Sequence, residues 1–400
     1  MKIPITFYGF IARLLSLFIP VKRKYWIFGA DFGNSYKEGS KYMLEYMLKE
    51  HPEYTCMFIT NNKQVYDKLR NIGVPCEMNF SLKGIVAILR AEAVFTTQVI
   101  TDIHLAFPRK GRKFYYLVHG QPLKVAANLL SKTTFWKKKN NSSFLKRIQT
   151  KLLYKFNEGE KESSFLSATS DFLAQYLFNE HDKLVPVKVL GMPRNDALFD
   201  SDRMNKENWI PDIKGKFVIT YMPTHRAYGL GEVTPTPFLD RPDIQDWMRK
   251  NNVVFLMKNH PNMIPKLDDS SSTDVIKDIT KLRIDPQVCL YHSDVLVTDF
   301  SSVWMDFLLL KRPILFYIYD DFEKNDVGTY YDIRLDPPGH FCYNENDFFK
   351  LIKQAKDDYD NMKPASHIVA KYHKYVDGKS CERYYNAIIE DFISKSSSIS

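Results

Sequence analysis

His119, Arg194, Thr224, Arg226, Lys258, His260, Ser301 and Ser302 share one habit: each stands just beyond a short apolar run. The runs read YLV before His119, VKVLGMP before Arg194, and VITYMP, with Pro223, before Thr224, His225 and Arg226. VFLM precedes Lys258, Asn259 and His260, and DVLV precedes Thr298, Asp299, Ser301 and Ser302. These residue types suit a phosphorylated substrate. Guanidinium groups at Arg194 and Arg226 can grip phosphate oxygens bidentately, and Lys258 supplies a point charge. A helix beginning at Ser301 and Ser302 offers hydroxyls and free N–H groups to an anion, and Asp306, one turn on, faces the same way. Two imidazoles with an ordinary pKa near ~6.5 suit proton transfer at neutral pH. Transfer of a phosphorylated group asks a protein chiefly for positioning and charge stabilisation, plus a base for the attacking hydroxyl. One histidine would deprotonate the acceptor while the other steadies the phosphate or leaving group. Each residue alone has a plain structural explanation, such as a hydrogen-bonded histidine, a turn proline or a serine that caps a helix. Five strand ends bearing such groups together describe a donor-rich cleft.

The elements that must hold them follow from the rhythm of the sequence. YWIFGA, EGSKYMLEYMLKE, YTCMFIT, KQVYDKLR, SLKGIVAILR and AVFTTQ alternate strand and helix patterns, and KFYYLVHG, FLSATS and VPVKVLG continue as strands. A proline-punctuated charged stretch, MPRNDALFDSDRMNKENWIPDIKGK, interrupts the alternation, which resumes with FVITYMPT, VVFLMKNH, DVLVTD and PILFYIY. The expectation is an α/β protein of two Rossmann-like domains with parallel sheets, whose polar residues line an interdomain cleft at the carboxyl ends of the strands. We assign 1–24 to an interfacial helix, 25–200 to an acceptor domain, 201–375 to a nucleotide-donor domain and 376–400 to a closing helix and tail. There is no GxGxxG or GxxxxGK[ST]; Gly29, Gly33 and Gly39 follow the first strand at other spacings. The D-x-D triplets at Asp200 and Asp358 read as solvated carboxylates, and the sequence requires no metal.

The composition, 44% hydrophobic and 26% charged, is that of a globular protein. Five scattered cysteines, none in a CxxC pair, argue against a disulfide framework or a zinc site and for a reducing compartment. The net charge of +9 is uneven: thirteen Lys and Arg, and no acid, lie between Asp102 and Glu158. Within that segment a basic amphipathic insertion, about 128–157, carries Phe135, Trp136, Phe144 and several leucines. Such a mixture favours an anionic membrane surface over nucleic acid, for which no motif is present. IPITFYGFIARLLSLFIP, broken by Arg13, is too short to span a bilayer and is followed by Lys22, Arg23 and Lys24, so it reads as a helix lying in the membrane interface.

HGQPLK, GMPRND, MPTHR, KNHP and SDVLVTDFSSVWMDFLLLKRPILFYIYD stand in the order and rough spacing of one family. From His119 to Asp320 the sequence resembles the CDP-glycerol glycerophosphotransferases of teichoic acid and capsule synthesis. The resemblance implies a GT-B fold, monotopic attachment to the cytoplasmic face of the membrane, and transfer of glycerol phosphate from CDP-glycerol to an acceptor hydroxyl with release of CMP. The acceptor would be a lipid-linked glycan or polymer, with no cofactor required. By the same resemblance His119 and His260 are catalytic, while Val118, Gly120, Gln121, Pro122, Arg194, Pro223, Thr224, Lys258, Ser301, Ser302 and Asp306 bind the donor. Arg226, Asn259 and Thr298 join them from their strand-end positions. Gln121 stands where many relatives have Thr, and Val327 where they often have Arg. These departures leave the acceptor, and glycerol against ribitol in the donor, open. Primase and polymerase roles stay open, as does a homo-oligomer. A GT-B glycosyltransferase using a nucleotide sugar and a non-enzymatic membrane or nucleic-acid binder are the competing readings.

Overall fold

The computed structural model describes residues 14–97, 102–103, 111–124, 163–180, 185–206, 213–224, 236–259, 272–320 and 329–396. They fall into two compact units, one drawn from 14–119, 163–196 and 379–396, the other from 120–124 and 197–378.

The first unit is built on a parallel sheet of β1 (Tyr25–Phe28), β2 (Thr55–Thr60), β3 (Cys76–Met78), β4 (Ala93–Thr96) and β5 (Lys113–Tyr116), in the order 3-2-1-4-5. The run YWIF is buried at all four positions, the mark of a strand covered on both faces. Its aromatic residues knit the sheet: Phe28 stacks on Phe95 of β4 with ring centroids 4.5 Å apart. Helices α1 (Glu38–Glu50), α2 (Lys63–Asn71) and α3 (Leu82–Arg90) cover the sheet. Asn62 and Ser81 cap α2 and α3 by accepting from the Gln64 and Gly84 amides. A short pair, β6 (Leu166–Ala168) with β7 (Val187–Val189), and α4 (Asp171–Glu180) complete this part. The last helix, Ser380–Ser396, returns to the same unit, where Cys381, Tyr384, Ala387 and Ile388 enter the core around Trp26. Asp196 anchors its start by accepting from the Ser380 and Cys381 amides at 2.8 and 2.7 Å. Before β1, residues 14–19 form a turn in which Leu15 and Ile19 pack on the core while Leu14, Leu17 and Phe18 stay exposed.

The second unit holds β8 (Phe217–Tyr221), β9 (Val253–Met257), β10 (Ile276–Asp278), β11 (Val295–Thr298), β12 (Ile314–Tyr317) and β13 (His340–Cys342), all parallel. Their order, 10-9-8-11-12-13, is the Rossmann arrangement, reversing between β8 and β11. The strand VVFLM is wholly buried, and each such side chain stabilises the unit by about 1.5–3 kcal/mol. Helices α5 (Ser201–Lys206), α6 (Pro242–Lys250), α7 (Pro286–His292), α8 (Val303–Leu308), α9 (Glu345–Asp357) and α10 (Ser366–Tyr372) accompany the sheet.

Two features depart from the sequence reading. The proline-punctuated stretch, read only as an interruption between domains, winds into a 3₁₀ helix, Pro193–Phe199, and then α5. The three-residue strands β3, β10 and β13 escaped notice because CEM, IKD and HFC carry too few apolar residues to show a period. Among the described residues no helix is long and apolar enough to cross a membrane.

Candidate functional site

Open α/β sheets bind ligands at the carboxyl ends of their strands, at the switch point where strand order reverses. In the second unit that point lies between β8 and β11, and two polar residues tie its loops. Thr298 Oγ1 donates to Met222 O, and the Asp299 carboxylate accepts from Thr224 N, both at 2.8 Å. Thr298 and Asp299 are fully buried, so the Pro223–Thr224 turn is held from beneath.

Lys258 and Asn259 leave β9, the neighbour of β8, and both are buried. Their amides are satisfied, Lys258 N by Tyr221 O and Asn259 N by Thr280 Oγ1. Their side chains are not. Among the described residues no carboxylate pairs with the Lys258 ammonium, and the Asn259 Nδ2 group has no hydrogen-bond partner. A buried cation without a counter-charge beside a buried unused N–H donor is costly unless something anionic or acceptor-rich occupies the space.

Ser301 and Ser302 follow β11. Ser302 stands at the N-cap of α8, where the sequence places the serine pair, but it makes no side-chain cap hydrogen bond. Its backbone is already helical at φ −67 and ψ −2, whereas a capping serine uses an extended backbone to present its oxygen to the first amides. The hydroxyl instead borders Gly120, where an added Cβ would come 2.9 Å from Ser302 Oγ. Asp306, buried in the first turn of α8, receives Gln287 Nε2 at 3.4 Å. The segment that begins at Gly120 is fastened within this unit by Tyr330 N to Leu123 O and by Tyr331 Oη to Pro122 O, at 2.9 and 3.0 Å. Gln121 and Pro122 are buried there.

In the first unit the corresponding loops are clasped by Asp102, fully buried, which accepts from Phe32 N at 2.8 Å and Thr97 N at 2.7 Å. Asp31, Phe32 and Gly33, just after β1, are consecutively left-handed at φ 52, 54 and 78, a strained arrangement for the first two. His119 lies three residues past the end of β5, after the buried Val118, and as a residue is exposed. Tyr116 Oη is 3.1 Å from its Nδ1. Arg194 pairs with Glu38 at 2.7 Å and also donates to His119 O. The crowding of protein around the ring lowers the His119 pKa from the ordinary histidine value; the Glu38 and Asp102 carboxylates and the Thr97 backbone oppose that shift, and Arg194 adds to it. A neutral imidazole at physiological pH is the form a general base requires. No thiol competes as a nucleophile, since all five cysteines are buried and burial pushes those of Cys56, Cys289 and Cys342 up to about 12.

The residues singled out from the sequence thus divide between the units. Val118, His119 and Arg194 lie in the first; Gly120, Gln121, Pro122, Pro223, Thr224, Lys258, Asn259, Thr298, Ser301, Ser302 and Asp306 lie in the second. His225, Arg226, His260 and the basic insertion lie outside the described residues. Arg194, expected on phosphate, is engaged by Glu38 and the His119 carbonyl. Sequence reasoning passed over Glu38, Asp102, Tyr116, Tyr330 and Tyr331, which no short motif contains.

Known proteins resemble this chain in sequence and fold. The chain is 28% identical over 389 residues to a teichoic acid poly(glycerol phosphate) polymerase of Bacillus subtilis strain 168, covering 93% of this chain and 49% of that one. It therefore spans about half the length of that relative. A teichoic acid glycerol-phosphate transferase of Staphylococcus aureus is 27% identical over 381 residues, covering 91% of this chain and 92% of its own. The structure of the wall teichoic acid polymerase TagF superposes with a TM-score of 0.74 at 20% identity, over 98% of this chain and 93% of that chain, which shows a common GT-B fold. Residues 11–390 match the model of the CDP-glycerol:poly(glycerophosphate) glycerophosphotransferases, and the chain belongs to that family.

Proposed function

We propose that this protein transfers glycerol phosphate from CDP-glycerol to a hydroxyl of a lipid-linked glycan or polymer, releasing CMP, in the synthesis of a teichoic acid or capsule-type polymer. The observation that carries the reading is the pair Lys258 and Asn259, which are, among the described residues, a buried cation without a carboxylate and an unused buried amide at the carboxyl edge of a Rossmann sheet. A diphosphate answers both needs. Thr224, Ser301, Ser302 and Asp306 edge the same sheet end and would contact the donor, with Gly120 to Pro122 beside them. His119 would take the proton of the acceptor hydroxyl. The hydroxyl oxygen then bonds to the phosphorus that bears glycerol, and the P–O bond to CMP breaks, CMP leaving with the electron pair. His260 would steady the phosphate or the departing CMP. No metal or organic cofactor enters this scheme, in which cationic and N–H donors carry the charge stabilisation.

The test is to incubate the purified protein with CDP-glycerol, CDP-ribitol and UDP-sugars in turn, together with a lipid-linked acceptor. CMP released from CDP-glycerol, and abolished in His119→Ala, is the expected result. UDP release, or undiminished turnover in His119→Ala, overturns the assignment, and a preference for CDP-ribitol replaces the donor.

The same reading places the protein peripherally on the cytoplasmic face of the membrane. Leu17 and Phe18 are 76% and 77% exposed on a turn whose Leu15 and Ile19 are fixed in the core, and Lys22, Arg23 and Lys24 follow. Apolar side chains held outward beside basic ones suit an anionic interface. Replacing Leu17 and Phe18 by Ser should reduce co-sedimentation with phosphatidylglycerol vesicles without changing the melting midpoint; undiminished co-sedimentation would remove this turn from the membrane contact.

A further inference from the structure

The geometry of His119 is set by groups from three other elements of its unit. Tyr116 ends β5, and its amide is held by Ser163 Oγ at 3.0 Å. Its ring is packed in a small cluster with Val118, Leu166 and Val185, so the phenol reaching His119 Nδ1 is fixed in place. Gly39 lets α1 come close: a Cβ there would meet Leu117 Cβ at 3.0 Å. Beside it Glu38 takes a left-handed backbone, φ 62, which glutamate adopts only when its surroundings impose it. That conformation delivers its carboxylate to Arg194, whose guanidinium also binds the carbonyl of His119. Both members of the ion pair are mostly buried, with 11% and 18% of their side chains exposed. Strain in the backbone, a buried ion pair and a packed phenol converge on one imidazole-bearing residue.

We infer that Tyr116, Glu38 and Arg194 are positioning residues for His119. The imidazole donates Nδ1–H to Tyr116 Oη, which leaves the lone pair on Nε2 for the proton of the acceptor hydroxyl, and the Glu38–Arg194 pair pins the main chain that carries the ring. The inference rests on the proposed role of His119 as the base. It gives Tyr116 the task that a third group performs in hydrolytic triads, fixing the tautomer and orientation of a catalytic imidazole. The charged groups that face the ring are Glu38 on α1, Asp102 at the β4 loop and Arg194 on the 3₁₀ helix. Glu38 favours the imidazolium and Arg194 opposes it, so removing the carboxylate makes His119 harder to protonate.

The experiment follows CMP release from CDP-glycerol across pH in the full chain, with a short-chain acceptor ending in glycerol phosphate. Tyr116→Phe keeps the packed ring and should lower kcat about 10-fold, the loss of one hydrogen bond to a group that becomes charged, with an unchanged KM for CDP-glycerol. Glu38→Gln should move the acid limb of kcat/KM to lower pH, and Glu38→Asp, which retains the charge, should return it toward its original position. If His119→Ala is inactive while Tyr116→Phe and Glu38→Gln keep the wild-type kcat and acid limb, the positioning roles are refuted. If His119→Ala is itself active, the assignment of the base fails first, and the two failures are told apart by that arm.

Discussion

Replacing Lys258 by Met tests the donor site with two measurements of opposite sign. Methionine fills much of the same volume without charge. Lys258 is buried and no carboxylate among the described residues balances it, so no ion pair among those residues is lost when the ammonium goes. Its removal also ends the cost of keeping a charge away from water, and the melting midpoint should equal or exceed that of the wild type. Donor binding should move the other way. One unit charge about 4 Å from the ammonium at an effective dielectric constant of roughly 20 is worth about 4 kcal/mol. Desolvation of both partners offsets part of this, leaving the about 1.5–3 kcal/mol typical of hydrogen bonds to charged groups, or roughly 10- to 150-fold in affinity. Calorimetric titration with CDP-glycerol reads the second effect and a thermal melt reads the first. Donor affinity within error of the wild type, or a melting midpoint well below it, would show that the ammonium serves the fold and that the anion site lies elsewhere.

Other consequences are as direct. Gly120→Ala places a Cβ 2.9 Å from Ser302 Oγ, so it should cost about 1–3 kcal/mol of stability and raise the KM for CDP-glycerol, and adding Ser302→Gly should restore the stability but not the KM, as judged by thermal melts and initial rates. Asp391 receives Lys113 Nζ at 2.8 Å and Tyr115 Oη at 2.9 Å. Burial alone would raise its pKa, but the bonds from Lys113, Tyr115 and Ser164 outweigh burial and hold it below the ordinary value. A carboxylate with a depressed folded pKa stabilises the protein above its unfolded value, about 3.9, and that contribution is lost as pH falls through the folded value. Asp391→Asn should therefore lower the urea midpoint at pH 7, at a cost of about 2 kcal/mol, and the gap to the wild type should narrow below about pH 4.

The long apolar strands were plain in the sequence because burial on both faces leaves a continuous hydrophobic signature, as in YWIF and VVFLM. The polar residues after them were equally visible, since strand ends are local. What could not be read is the set of partners. Glu38 and Arg194 are 156 residues apart, one opening α1 and the other on the 3₁₀ helix after β7, and they meet only in the tertiary packing of their unit. Asp102 and Asp299 act by accepting backbone amides, and a carboxylate with that duty looks like any other acid in a sequence. Ser302 left two readings open in the sequence, cap or anion site, and only the backbone entering α8, already helical, shows that its side chain does not cap. The positive φ of Glu38 and Phe32 carried no signal at all, since neither is a glycine.

The placement of the last helix sets an order of events for synthesis. Tyr384, Ala387 and Ile388 complete the core around Trp26, one of the earliest strand residues. On a ribosome adding about 5–20 residues per second, the N-terminal sheet must wait until the helix Ser380–Ser396 has emerged before its hydrophobic face is closed. The second unit ends at Gly378, before that helix begins. The nascent first unit is therefore the part that a chaperone or a nearby membrane would need to shield.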